Sequence, residues 1–150
     1  MARRTPNELE ESRRHAAKLM KRIMAQLRAS MDERLRPYGV TTAQIRLLFA
    51  IHTAPGSSGA QLSRQCEVTP QSAQVLIQRA EEAGWIVRGK DSINDRIVTA
   101  SLTPAGEELL KIADGLMRSI EAKLWQKIPP SEINCVIEVL EKCLLNVSHE

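Results

Sequence analysis

Residues 58–103 constrain this chain more than any other stretch. They place two short helical runs, a tight turn and a β-hairpin pattern in a fixed order. Ser58, with Gln61 three residues on, is a capping-box pattern that starts the first helix. Leu62 and Cys66 lie four apart on its inner face, and Glu67-Val68 make the turn. Thr69 then caps a second helix with Pro70 at its first position, where a missing N–H costs nothing. Ala73, Leu76, Ile77, Ala80 and Ala83 form its inner face, while Gln71, Ser72, Gln74, Val75, Gln78 and Arg79 point away. Gly84 ends it. Trp85 to Lys90 reads as a short strand, Asp91 to Asp95 as a polar loop and Arg96 to Leu102 as a returning strand.

Long helices flank this unit. From Asn7 to Arg36, Ala16, Leu19, Met20, Ile23, Leu27, Met31 and Leu35 recur at spacings of three and four, which puts them on one face. Asn7 with Glu10 suits its start, and Pro37 with Gly39 its end. Thr41 with Gln44 opens the next helix. There Ile45, Leu47, Leu48, Phe49, Ala50 and Ile51 are apolar nearly all round and predict a buried, central position. After the hairpin, Thr103-Pro104 starts a helix striped by Leu109, Ile112, Leu116, Ile120 and Leu124. Pro129-Pro130 breaks it. A last helix from Ser131 to Val147 carries Ile133, Val136, Ile137, Leu140 and Leu144. One small lobe does not cover such stripes, whereas two copies bury them at roughly 25 cal/mol per Å². A homodimer is therefore expected, with an intramolecular bundle as the competing arrangement.

Composition excludes several classes. The chain is 43% hydrophobic and 26% charged over 150 residues, which supports a packed core. No apolar run is long enough to span a membrane, and the first residues lack a secretory signal, so a cytoplasmic location is expected. Cys66, Cys135 and Cys143 are an odd set without CxxC spacing, which argues against a disulfide framework or zinc site and for small, partly buried thiols. His15, His52 and His149 are scattered. There is no nucleophile elbow, phosphate-cradling glycine loop or HExxH. Neither an enzyme, a metal nor a cofactor is expected. The net charge of +3 is unevenly spread. Residues 1–36 carry ten Lys/Arg against five Asp/Glu, residues 37–103 six against five, and residues 104–150 five against eight. The basic excess thus lies mainly in the first helix, and phosphate attraction follows local clustering rather than the total.

The outward face of the second short helix suits a DNA major groove, where base edges present distinct donor and acceptor patterns. Gln71, Gln74 and Gln78 donate and accept together, as adenine requires. Ser72 suits phosphate or a base edge, Val75 a thymine methyl, and the helix start at Thr69 favours phosphate. An ordinary solvated helix face offers the same polar residues, so the hairpin decides. Arg96 stands at the base of its loop, placed for a narrow minor groove, with Arg88 and Lys90 on the opposite strand suited to phosphate.

These motifs together resemble the MarR family of winged helix-turn-helix transcriptional regulators. AGWIVRGK, the Asn94-Asp95-Arg96 triplet, Ser101-Leu102-Thr103 and PAGEEL carry the likeness, which extends over nearly the whole chain. The resemblance implies a mainly α fold with a small β-hairpin wing. It implies that residues 1–150 form a single domain, with dimerisation helices over 7–36 and 104–147 and a winged helix-turn-helix lobe over 41–103. It implies a homodimer on a pseudo-palindromic double-stranded operator, acting as a repressor released by a small aromatic or phenolic effector. That effector's pocket would lie near Tyr38, Phe49 and His52. Two departures stand out. Asn94 occupies the position where the family's wing usually has an acid, with Asp95 one place off. Ala80 stands where the family tends to have Leu. The oxidant-sensing branch has a cysteine near the start of its first helix, and this chain has none there. The alternatives are a winged helix used only for protein–protein contact, which the weak charge of residues 37–103 favours, and a thiol-based redox-responsive regulator.

Overall fold

The computed structural model describes residues 5–90 and 98–148, with the backbone alone at Val98. In chain order the elements are α1 (Pro6–Leu35), a 3-10 turn (Arg36–Tyr38), α2 (Thr42–Thr53), β1 (Ser57–Ser58), α3 (Gly59–Gln65), α4 (Pro70–Glu82), β2 (Ile86–Lys90), β3 (Val98–Leu102), α5 (Pro104–Leu124) and α6 (Pro130–Val147). The chain divides into two compact units, Met1–Met117 and Arg118–Glu150.

Local chemistry sets the helix starts. Capping boxes join Thr41 to Gln44 before α2 and Ser58 to Gln61 before α3. The α1 box uses Thr5 and Glu8, not Asn7 and Glu10, because Pro6 fits only the first helical position and so places the cap one residue earlier. Thr69 caps α4 by accepting from the Ser72 N–H. Between α3 and α4, Glu67 takes a left-handed φ of 53°, which turns the chain without a glycine.

The first unit is packed around α2. Leu47, Leu48 and Ile51 are buried, as are Leu35 of α1, Leu62 of α3, Ile77 and Ala80 of α4 and Ile86 of β2. Phe49 departs from the expectation of a helix buried all round. It is 59% exposed, because its face of α2 borders an open cavity. Ala83 is also exposed, since α4 stops at Glu82 and Ala83 is its C-cap.

The sheet is antiparallel in the order β1-β3-β2. The expected hairpin is present, with Ile86 opposite Leu102 and Lys90 opposite Val98. A third strand, Ser57–Ser58, adds to the other side of β3. Thr103 locks the hairpin to α4 and α5. Its N–H donates to the Trp85 carbonyl at 3.0 Å and its hydroxyl donates to the Gly84 carbonyl at 2.7 Å. The same hydroxyl accepts from the Gly106 N–H at 3.1 Å. A Cβ at Gly106 would lie 2.2 Å from the Trp85 carbonyl oxygen, so only glycine fits there. This contact is the physical content of the Ser-Leu-Thr-x-x-Gly pattern.

In the second unit, α6 has no buried residue, and Val136, Ile137, Leu140 and Leu144 are exposed. On α1 the stripe is split. Met31 and Leu35 are buried, whereas Leu19, Met20 and Ile23 are bare. Among the described residues no helix is long and apolar enough to cross a membrane, and no His/Cys/Asp/Glu cluster could hold a metal ion.

Candidate nucleic-acid interface

Helix α4 presents one continuous open face. Gln71, Ser72, Gln74, Val75, Gln78 and Arg79 are all exposed, and Ala73, Ile77 and Ala80 are buried behind them. Pro70 at the first position and the Thr69 cap hold the start of the helix. The Thr69 hydroxyl donates to the Ser72 hydroxyl at 2.9 Å and fixes that side chain at the helix start.

The two ends of this face differ. At the C-terminal end, Gln78 Nε2 donates to Glu82 Oε1 at 2.9 Å, so its amide is already engaged beside a carboxylate. The N-terminal half carries Gln71, Gln74 and Val75 with no acid among residues 68–80. Helix partial charge adds to this polarity, positive at the start and negative at the end. The start of α4 is therefore the better anion-facing end.

The wing base lies against the same helix. Arg88, on β2, points its Nε to Glu81 Oε2 of α4 at 2.7 Å, and its side chain is only 29% exposed. Arg88 and Gln74 both line a small cavity of about 210 Å³ between α4 and the sheet. Arg88 thus braces the hairpin on the helix. Sequence reasoning missed Glu81 as its partner, because the pair forms only when β2 folds back on α4. Lys90 is exposed at the outer end of β2. Asn94, Asp95 and Arg96 lie outside the described residues.

A second residue missed by pattern is Arg46 of α2. Its guanidinium donates to the Cys66 carbonyl at 3.0 Å and lies 3.7 Å from the Glu67 carboxylate, so it holds the turn between α3 and α4. Burial pushes the Cys66 thiol up from its ordinary range, with the nearby Arg46 charge only partly opposing it. Cys135 and Cys143 are exposed, contrary to the expectation of partly buried thiols.

A larger open cavity of about 850 Å³ lies between α2 and the first turns of α5, with Met31 of α1 and Gln65 of α3 at its edges. Ile45, Phe49, Leu110 and Met117 give it an apolar wall, and Arg46 and Lys111 supply cations. At its rim His52 Nδ1 lies 3.1 Å from Glu107 Oε2 and ties α2 to α5. Of the residues expected near an effector pocket, Phe49 and His52 line this cavity. Tyr38 does not, because the 3-10 turn after α1 carries it elsewhere, where it is 45% exposed.

A helix-turn-helix with an exposed second helix, followed at once by a two-stranded hairpin braced on it, defines a winged helix-turn-helix protein. Comparison with known proteins narrows the class. The MarR family model matches residues 38–96. The HTH-type transcriptional repressor Rv2887 of Mycobacterium tuberculosis is 30% identical over 124 residues, covering 83% of this chain and 89% of the repressor. The chain belongs to the MarR family of transcriptional regulators. The crystal structure of Rv2887 in complex with salicylic acid aligns with a TM-score of 0.66 over 83% of this chain and 93% of that one. The reduced form of MarR from E. coli, 21% identical, shares the fold with a TM-score of 0.78 over 85% of this chain and 95% of its own.

Proposed function

We propose that this regulator acts as a homodimer that binds a pseudo-palindromic DNA operator and represses transcription until a small aromatic acid or phenol releases it. The observation that carries the reading is the α4 face: Gln71, Gln74 and Val75 stand exposed at an acid-free helix start, beside a hairpin braced on the same helix. Such a helix reads base edges in the major groove, and the hairpin reaches the adjacent backbone or minor groove. In this reading Thr69, Pro70, Ser72, Gln78 and Arg79 flank the base-reading side chains, and Arg96, with Asn94 and Asp95, forms the wing tip.

The homodimer rests on the bare stripes of α1 and α6, within residues 7–36 and 104–147. These helices expose Leu19, Met20, Ile23, Val136, Ile137, Leu140 and Leu144. A twofold pair places two α4 helices about 34 Å apart, one DNA turn. The effector reading rests on the larger cavity, whose volume falls in the range of small-molecule sites. An aromatic ring fits its Phe49 and Met117 wall, and a carboxylate meets Arg46 or Lys111. Its position against α2, which holds the turn before α4, offers a route from ligand to DNA. A buried Cys66 with a raised thiol pKa disfavours the thiolate, so it does not support redox control through that residue.

Selection of bound duplexes from a random pool tests the reading. The wild type should enrich a site with two related half-sites one turn apart, and Gln74→Ala should change the preferred base in each half. Failure of the wild type to enrich any sequence would overturn it in favour of a protein–protein module. Adding salicylate should then weaken the selected complex, and Phe49→Ala should blunt that response.

A further inference from the structure

The basic excess of the N-terminal third has no part in the reading above. Residues 12–31 carry six Lys/Arg and no Asp/Glu. The C-terminal end of α1 delivers part of that charge to the helix-turn-helix. Arg28 and Arg36, both exposed, line a cavity of about 750 Å³ together with Arg46 and with Val68 of the α3–α4 turn. The next residue in the chain is Thr69, the cap of α4. Three guanidinium groups therefore converge beside the start of the exposed helix.

Asp32 is the one carboxylate among the residues lining this cavity, and it is already committed. It accepts hydrogen bonds from both the backbone N–H and the hydroxyl of Thr42, closing the start of α2. Arg46 is partly committed as well, to the Cys66 carbonyl and the Glu67 carboxylate. Arg28, whose charge also acts on Asp32, and Arg36 remain as the exposed cations of the lining. The lining has no aromatic ring, which suits a hydrated polyanion better than a ring-bearing acid. Arg28 and Arg36 stand about 12 Å apart along the helix axis, so they meet separate phosphates of one backbone.

We infer that Arg28 and Arg36 are backbone contacts that grip the DNA strand flanking the groove read by α4, with Arg46 securing the turn between α3 and α4. This rests on the DNA-binding reading. Such contacts fix position and add affinity without selecting sequence.

The test is the salt dependence of binding to a duplex that the wild type has selected from a random pool. Each phosphate contact removed lowers the slope of log K against log salt by about 0.9. For a dimer, with two contacts in each subunit, Arg28→Gln with Arg36→Gln should lower the slope by about 3.6, weaken binding at least tenfold at physiological salt, and leave base preference intact. Arg28→Lys with Arg36→Lys should restore most of the slope. Arg13→Gln with Lys18→Gln removes the same charge about 15 Å or more up the helix and should leave the slope unchanged. An equal loss in that control would reduce the effect to net charge and overturn the assignment. So would an unchanged slope in the Arg28/Arg36 variant, or a slope independent of these residues while inorganic phosphate raises the wild-type melting temperature through them. Should the double variant melt early, Arg36→Gln alone, at the exposed end of α1, answers the same question with half the change in slope. A wild type that binds no duplex sinks the DNA reading along with this one. A wild type that binds and shares its slope with the variant sinks this inference alone.

Discussion

The winged lobe and the last helix are both rich in leucine, isoleucine and valine, yet they stand in opposite states. In the lobe, Leu47, Leu48, Leu62 and Ile86 are enclosed by their own chain. On α6, Leu140 remains 42% exposed and Leu144 65%. The lobe has facing helices and a sheet within about fifty residues, so its apolar surface meets itself. The stripe on α6 has no such neighbours within its own unit, and the upper stripe of α1 is equally bare. The contrast separates residues that stabilise the fold from residues that the proposed homodimer would cover.

The sharpest way to break the comparison is to charge α6. Leu140→Asp with Leu144→Asp should abolish the proposed dimer, because each leucine buried in such an interface contributes about 2 kcal/mol and a twofold interface counts each twice. Light scattering should fall from near twice the chain's 16.8 kDa to that mass, while the lobe keeps its helical signal. A variant that stays dimeric would place the interface elsewhere. The matching change in the lobe is Leu62→Ala. It creates a cavity in a closed core and should cost about 3–5 kcal/mol in denaturant unfolding. A loss below about 1 kcal/mol would mean that the lobe's core is looser than its burial implies.

A smaller effect tests the seam where α5 joins the lobe. Gly106→Ala gains up to about 1 kcal/mol of helix propensity. Against that stands a Cβ placed 2.2 Å from the Trp85 carbonyl oxygen, a backbone atom that cannot rotate aside. The overlap should dominate and leave a net loss of about 1–3 kcal/mol. A stabilised variant would show that the hairpin shifts freely over α5.

The same contrast explains what could be read from the residues alone. Caps at Thr41 and Ser58 were legible because each pairs with a glutamine three residues away, and the cap at Thr69 because Pro70 follows it. The exposed face of α4 was legible because apolar spacing fixes which side turns inward. Strand Ser57–Ser58 was not, since two residues have no periodicity. The exposure of Phe49 was not legible either, because an all-apolar helix gives no direction; only the cavity beside α2 does. Glu81 and Arg46 escaped because their partners, Arg88 and the Cys66 carbonyl, arrive by tertiary folding. At the interface, residue types marked the helix and wing, but not which charges were already paired.

The smallest predicted effect lies where the end of α1 meets the start of α2. Asp32 is held below the ordinary carboxylate range, first by the Thr42 hydroxyl and then by the Thr42 backbone N–H, with Arg28 adding a favourable charge. A carboxyl whose pKa is lower folded than unfolded stabilises the fold above its unfolded pKa. That contribution is lost as pH falls through the folded value. Asp32→Asn should therefore lower stability by a constant amount above about pH 5, and the difference from wild type should shrink below about pH 4, near the ordinary aspartate value. Because Asp32 is exposed, solvent screening keeps the effect small. Melting temperatures of the two proteins between pH 3 and pH 7 provide the measurement. Parallel curves down to pH 3 would mean that the Thr42 bonds do not hold in solution and that α1 meets α2 through Leu35 and its apolar neighbours alone.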